Sequence, residues 1–183
     1  MLKKSLGIYT AGLVFGVLSS AVLIAVYPAL YFAFLEFLRQ KIESQSRLVE
    51  NLSLMIILNN LLAAGIASFG GVGVSKIVNL FDRGIARRKA LLSAIPTGVL
   101  FVNGEVLGLL AVLYRENISL YLYGIFPHGF FEIPAIILSG SIGLEISEES
   151  QDSLIAAART KIRRFTAVVL LLIVGGVLEG GAL

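Results

Sequence analysis

Five long apolar runs separated by charged loops constrain the fold of this chain more than any other feature of its sequence. Each run is long enough to cross the roughly 30 Å hydrocarbon core of a bilayer as a helix, and none alternates like a barrel strand. The composition agrees, because 57% of the residues are hydrophobic and 15% are charged. The sequence predicts an all-α, polytopic membrane protein forming a single domain over residues 1–183, with spans at about 7–34, 52–74, 90–114, 121–144 and 165–183.

The segment 35–52 between the first two runs is charged but keeps apolar residues at helical spacing, at Leu35, Leu38, Ile42, Val49 and Leu52. This periodicity predicts an amphipathic helix that either extends the first span or lies at the membrane surface. We expect it outside the cell.

Lysine and arginine are divided unequally between the two sets of loops. If the N-terminus is cytoplasmic, eleven of the 15 basic residues lie on the cytoplasmic side and four lie outside. Cytoplasmic loops carry the excess of basic residues in membrane proteins. The sequence therefore predicts a multi-pass protein of the cell membrane with its N-terminus in the cytoplasm and its C-terminus outside. No nucleic-acid partner is predicted, because the charges occupy loops between spans instead of one binding face.

The fourth run holds the only histidine of the chain, His128, with Glu132 four residues later. In a helix this spacing places both side chains on one face, one turn apart. Ionisable residues inside a membrane segment are costly, so they indicate a buried functional site. Pro127 and Pro134 predict that the helix is broken here, because proline removes a backbone donor and clashes with the preceding turn.

Polar residues of other runs are expected at a similar depth. At about 1.5 Å of rise per residue, measured from the middle of each span, they fall in one layer of the outer half of the membrane. This layer predicts a shared polar cluster between the helices, formed by Asn60, Asn103, Glu105, His128, Glu132 and Glu179. The alternative is that the asparagines only hydrogen-bond neighbouring helices and that the acids are protonated structural donors.

Small residues spaced four apart predict where helices pack closely. Gly12 and Gly16 form such a pair in the first run. We also expect the third and fifth helices to approach each other and to bring Asn103 near Glu179, through Gly104, Gly108, Gly176 and Gly180.

The motif at residues 127–135, Pro-His-Gly-Phe-Phe-Glu-Ile-Pro-Ala, resembles that of the stage II sporulation protein M family of integral membrane proteins. Asn59 with Asn60, Asn103 with Gly104 and Gly108, and Glu179 fit the same pattern. The resemblance implies a helical protein of five or six spans. It also implies a role like that of the family's namesake, which works with membrane-tethered cell-wall hydrolases to remodel peptidoglycan during engulfment.

Two functions follow as alternatives. The first is an integral membrane scaffold that recruits or positions envelope-remodelling partners, either as a single chain or as a homo-oligomer. The second is a metal- or proton-dependent enzyme, or an ion or solute transporter, that uses the polar cluster. Its metal would be a divalent ion such as zinc held by His128, Glu132 and Glu179. The sequence has no cysteine and no His-Glu-x-x-His motif, so the scaffold is favoured over an enzyme.

Overall fold

The computed structural model is helical over nearly all the residues that it describes, which are 1–29, 31–33, 36–37, 40, 52–80, 85–149 and 153–181. Within the helices, this description leaves out some side chains, namely those of residues 52–53, 55–56, 76–80, 85–87, 117, 120, 123–128 and 179–181. No strand occurs among the described residues. Most of the predicted amphipathic segment 35–52 falls outside them and stays a prediction.

Five long helices make up the described chain: α1 (Leu2–Val26), α2 (Leu52–Leu80), α3 (Ile85–Leu113), α4 (Ile118–Ser147) and α5 (Leu154–Gly181). A short 3₁₀ turn, Arg115–Asn117, joins α3 to α4. Four of these helices contain stretches long and apolar enough to cross a membrane: Leu2–Val26, Ile57–Ser75, Arg88–Leu113 and Gly129–Ser147. The predicted all-α, polytopic architecture is therefore confirmed. The fifth span, at 165–183, lies in α5 but ends beyond the described side chains, so it stays a prediction.

Helix α1 ends at Val26, short of the predicted boundary at residue 34. The next residue, Tyr27, has φ −134° and ψ 62° and leaves the helical conformation. Tyr27 precedes Pro28, and the proline ring disfavours helical geometry in the residue before it. Helical backbone resumes at residues 28–29, so proline explains the interruption.

The predicted break in the fourth span is wrong. Helix α4 runs without interruption from Ile118 to Ser147, through both Pro127 and Pro134. Helix α3 likewise continues through the buried Pro96. Each proline removes one backbone donor, but membrane helices tolerate this where neighbouring groups or local adjustment satisfy the freed carbonyl.

Glycines bring α1 and α3 into direct backbone contact. A Cβ atom added at Gly12 or Gly16 would collide with the carbonyl oxygen of Phe101 or Glu105, respectively. Added at Gly104 or Gly108, it would collide with those of Tyr9 or Leu13. The residue numbers of the contacting pairs increase together along both helices, so α1 and α3 run parallel. This is the close approach that two facing small-xxx-small motifs permit.

Helix α4 occupies the centre of the bundle. In its span 61% of residues are buried, against 22% or less in the other three spans. Small residues on α4 allow neighbouring helices to come close. Ser68 Oγ of α2 donates to the carbonyl of Ser139 at 3.2 Å, and Gly143 packs against the backbone of Ala67 and the ring of Pro96. Helix α4 therefore contacts each of the other four helices.

The predicted contact between the third and fifth helices is also wrong. Gly104 and Gly108 face α1, whereas Gly176 faces the side chain of Ile57 on α2. In the described part of the chain, α5 packs mainly against α4 and α2. Small residues show that a helix can be approached closely, but they do not say by which neighbour. Gly180 lies in α5 beyond the described side chains.

Candidate functional site

A hydrogen bond between two membrane helices lies at the centre of the candidate site. Asn60 Nδ2 of α2 donates to Glu132 Oε1 of α4 at 2.6 Å, and both side chains are partly buried. Asn60 and Glu132 lie at the same depth in the bundle. The bond between Ser68 and Ser139 lies further along the same two helices, so α2 and α4 run parallel. Water is absent from the hydrocarbon region, so a polar partner within the protein matters most there.

This pair borders a cavity of about 350 Å³ that is lined by α1, α2, α3 and α4. Five polar residues line it: Tyr9, Asn59, Asn60, Asn103 and Glu132. The rest of the lining is apolar: Val102, Val106, Leu107, Leu110, Gly129, Ile133 and Ile136. A mostly apolar pocket with a few convergent polar groups is the usual form of a small-molecule site.

Three of the residues predicted for the polar cluster line this cavity together: Asn60, Asn103 and Glu132. Asn103 Nδ2 donates to the Val99 carbonyl one turn earlier at 2.8 Å, which fixes the orientation of its amide. Glu105 is not part of the lining, and its carbonyl lies against Gly16. Asn103 and Glu105 are two positions apart on one helix, so they point in different directions.

Two other predicted residues, His128 and Glu179, have side chains outside the described part of the chain. Their backbones lie in α4 and α5. Among the described residues, no three histidine, cysteine or carboxylate side chains are grouped as metal ligands. A zinc site formed by His128, Glu132 and Glu179 therefore stays a prediction.

Tyr9 lines the cavity, and sequence reasoning missed it. It is 6% exposed and lies on the same face of α1 as Gly12 and Gly16, at the spacing of one helical turn. The glycine pair could have revealed it, because the face that packs against another helix also carries the residue one turn before Gly12. The hydroxyl of Tyr121 further ties α4 to α3 by donating to the Leu107 carbonyl at 3.0 Å.

A second polar cluster joins α4 and α5 at the opposite end of the bundle. Glu145 accepts from Lys161 Nζ at 2.6 Å and from Arg164 Nη1 at 2.6 and 2.8 Å. Nearby, Arg88 Nη2 donates to the carbonyl of Glu149 at 3.0 Å, at the C-terminal end of α4. Cations are favourable at helix C-termini, where carbonyl groups lack helical partners. This cluster fastens helix ends together.

The comparisons with known proteins identify the family of this chain. The model of the family described as Stage II sporulation protein M matches residues 5–181, which is nearly the whole chain. None of the curated proteins and none of the solved structures that were compared matches it. The family match confirms the resemblance carried by the fourth-span motif and the asparagines. This chain therefore belongs to the stage II sporulation protein M family.

Proposed function

We propose that the protein is an integral membrane scaffold that positions envelope-remodelling partners, and that the cavity beside Asn60 and Glu132 is its working site. Membership of the family supports the scaffold role, since the resemblance implies a role like that of the namesake, which works with cell-wall hydrolases. The single observation that carries the cavity's role is the carboxylate of Glu132, held by another helix on the wall of an unfilled space.

A purely structural pair would not require that space. Protein interiors are packed as densely as organic crystals, and cavities reduce stability because the atoms around them lose contacts. Here about 350 Å³ is left open next to a carboxylate, in a helix that is closely packed from Ala135 to Ser147. An intramembrane ionisable residue is by default a functional-site hypothesis, and the adjacent cavity strengthens it.

The scaffold role predicts that specific envelope proteins associate with the chain in its native host. We expect cross-linking in living cells, followed by purification of a tagged chain, to enrich proteins that cleave or build peptidoglycan. A tagged, unrelated multi-pass protein serves as the baseline. Glu132→Gln should lower this enrichment at equal expression, and Glu105→Gln, which changes a carboxylate outside the cavity, should not. If the tagged chain enriches the same proteins as the unrelated multi-pass protein does, the scaffold role is wrong.

A second candidate function is transport or binding of an ion or small solute. The mixed polar and apolar lining of the cavity favours it, because a purely structural asparagine–glutamate pair needs no such volume. The two candidates differ in their readouts. A scaffold loses partners when the cavity is altered, whereas a transporter changes the flux of its substrate across sealed vesicles.

The proposed orientation can be tested by labelling single cysteines, because the natural chain contains none. Ser75 lies near the end of α2 that is proposed to be cytoplasmic, and Ser44 lies in the segment proposed to be external. An impermeant thiol reagent added to intact cells should label Ser44→Cys, and Ser75→Cys should become labelled only after the membrane is opened. Labelling of both cysteines from the same side would contradict the proposed topology.

A further inference from the structure

Helices α2 and α3 are in close contact near the loop that joins them, and both line the cavity further along. Near the loop that joins them, a Cβ at Gly71 would lie 3.2 Å from the carbonyl oxygen of Leu92, and one at Gly70 would lie 2.8 Å from Cγ2 of Ile95. Towards the other end, where Asn59 is the α2 residue on the wall, the space between these helices is the cavity. The two helices therefore form the sides of a wedge, and α4 forms its back.

The mouth of this wedge opens sideways. Asn59, Val102 and Val106 line the cavity and are also exposed, with Val102 at 52% and Val106 at 48%. All three lie within stretches that are apolar enough to cross a membrane. Asn103 is about 15 Å from the end of α3 at 1.5 Å per residue, which is close to half the thickness of the hydrocarbon core. The mouth thus faces lipid acyl chains, so a molecule dissolved in the bilayer can reach it.

The polar wall of the cavity combines one carboxyl group, three asparagine amides and the hydroxyl of Tyr9. Glu132 carries the one carboxyl group in the described lining. Asn60 and Asn103 each donate one amide N–H to an oxygen within the protein, so each can still offer its amide carbonyl and a second N–H to a ligand. When the Glu132 carboxyl is ionised, such a wall attracts a cation that carries several N–H donors.

We propose that the cavity binds a membrane-soluble primary ammonium compound, with its head group at Glu132, Asn60 and Asn103 and its hydrocarbon chain leaving between α2 and α3. The inference rests on the proposed function, because it takes the same cavity as the working site. A volume of about 350 Å³ holds a head group and the first part of a chain. The apolar residues Leu107, Leu110 and Ile136 suit those first methylene groups. An amine-headed lipid and a free long-chain amine both have this chemistry.

The test uses the full chain in phosphatidylcholine nanodiscs and a photoreactive dodecylamine that carries a diazirine on its chain. We expect cross-links at the mouth, mapped by mass spectrometry to α2 near Asn59 and α3 near Val102 and Val106. Dodecylamine should compete about tenfold better than dodecanol of equal chain length, the factor that corresponds to a charged hydrogen bond. Dodecanoate should compete no better than dodecanol. Cross-links spread evenly over all lipid-facing helices would overturn the proposal.

Two further competitors distinguish the sources of the head group. Competition by phosphatidylethanolamine, but not by water-soluble butylamine, supports an amine-headed lipid. Competition by dodecylamine alone supports a free long-chain amine. If butylamine competes as well as dodecylamine, the chain plays no part and the lateral route is wrong.

Variants of the protein separate this inference from the proposed function. Glu132→Gln should remove the preference for amine over alcohol, and Glu105→Gln, a carboxylate outside the cavity, should retain it. If Glu132→Gln does not fold, Val106→Trp provides a second test, because it fills an exposed position at the mouth and should abolish the cross-links. Equal competition by amine and alcohol in the natural chain overturns the ligand assignment. The proposed function would still stand if Glu132→Gln lost its envelope partners.

Discussion

Replacing Gly108 with alanine will destabilise the protein by about 1–3 kcal/mol, although only one methyl group is added. The new Cβ would lie 2.9 Å from the backbone nitrogen of Val17 and closer still to the carbonyl oxygen of Leu13. Backbone atoms within a helix cannot rotate away as a side chain can. The whole of α1 must therefore move, which weakens the most extensive helix–helix contact of the described chain. Gly104→Ala should act in the same way.

The control for this prediction lies on the same helix. A Cβ at Gly98 would meet nothing within 4 Å, so Gly98→Ala should leave stability unchanged or slightly higher, since alanine favours helix more than glycine does. Thermal unfolding of the purified variants in one detergent makes the comparison. Equal unfolding temperatures for Gly98→Ala and Gly108→Ala would mean that α1 and α3 do not pack through these glycines.

Glu145→Gln will have the second largest effect, because it leaves two cations without the carboxylate that they share. Glu145 is 22% exposed, and it accepts from Lys161 and Arg164 at 2.6–2.8 Å. Removing one member of a fully buried ion pair costs more than removing one at the surface. Since Arg164 is 40% exposed and solvent screens it, we expect a loss of about 1–3 kcal/mol.

A second ion pair at the same end of the bundle provides the comparison. Glu148 contacts Lys89 at 3.3 Å, and the side chains are 46% and 39% exposed, respectively. Glu148→Gln should therefore cost less than about 1 kcal/mol, and that cost should shrink further in high salt. Denaturant unfolding of both variants at low and high salt measures the difference. If Glu145→Gln is no more destabilising than Glu148→Gln, the Glu145 cluster does not fasten α4 to α5.

The sequence was sufficient to predict the helices and part of the candidate site. Apolar runs of membrane-spanning length can satisfy their backbone in few ways, so helices followed directly from them. Depth along a helix depends only on residue number, and this rule alone predicts similar depths in the membrane for Asn60 and Glu132. In the structure the two residues not only share a depth but also form a hydrogen bond.

Neighbouring helices and their angular positions could not be predicted in the same way. Apolar residues surround each helix, so hydrophobic periodicity hardly distinguishes a lipid-facing side from a protein-facing side. For this reason the glycine spacing predicts one contact for Gly108 and Gly176, although they face α1 and α2, respectively. Depth alone likewise predicts that Glu105 belongs to the polar cluster, although Glu105 does not line the cavity.

The central position of α4 has a consequence for the order in which the bundle can assemble. Ribosomes deliver helices in sequence, and the helix that the others surround is made after α1, α2 and α3. Helices α1 and α3 can already pair through their glycines, but the surfaces that will cover α4 stay exposed to lipid until α4 is made. Helix α4 then has to insert between helices that are already in the membrane. The small side chains of its serines and glycines at 139–143 allow this close approach. A chain released before residue 147 would lack the centre of its own fold.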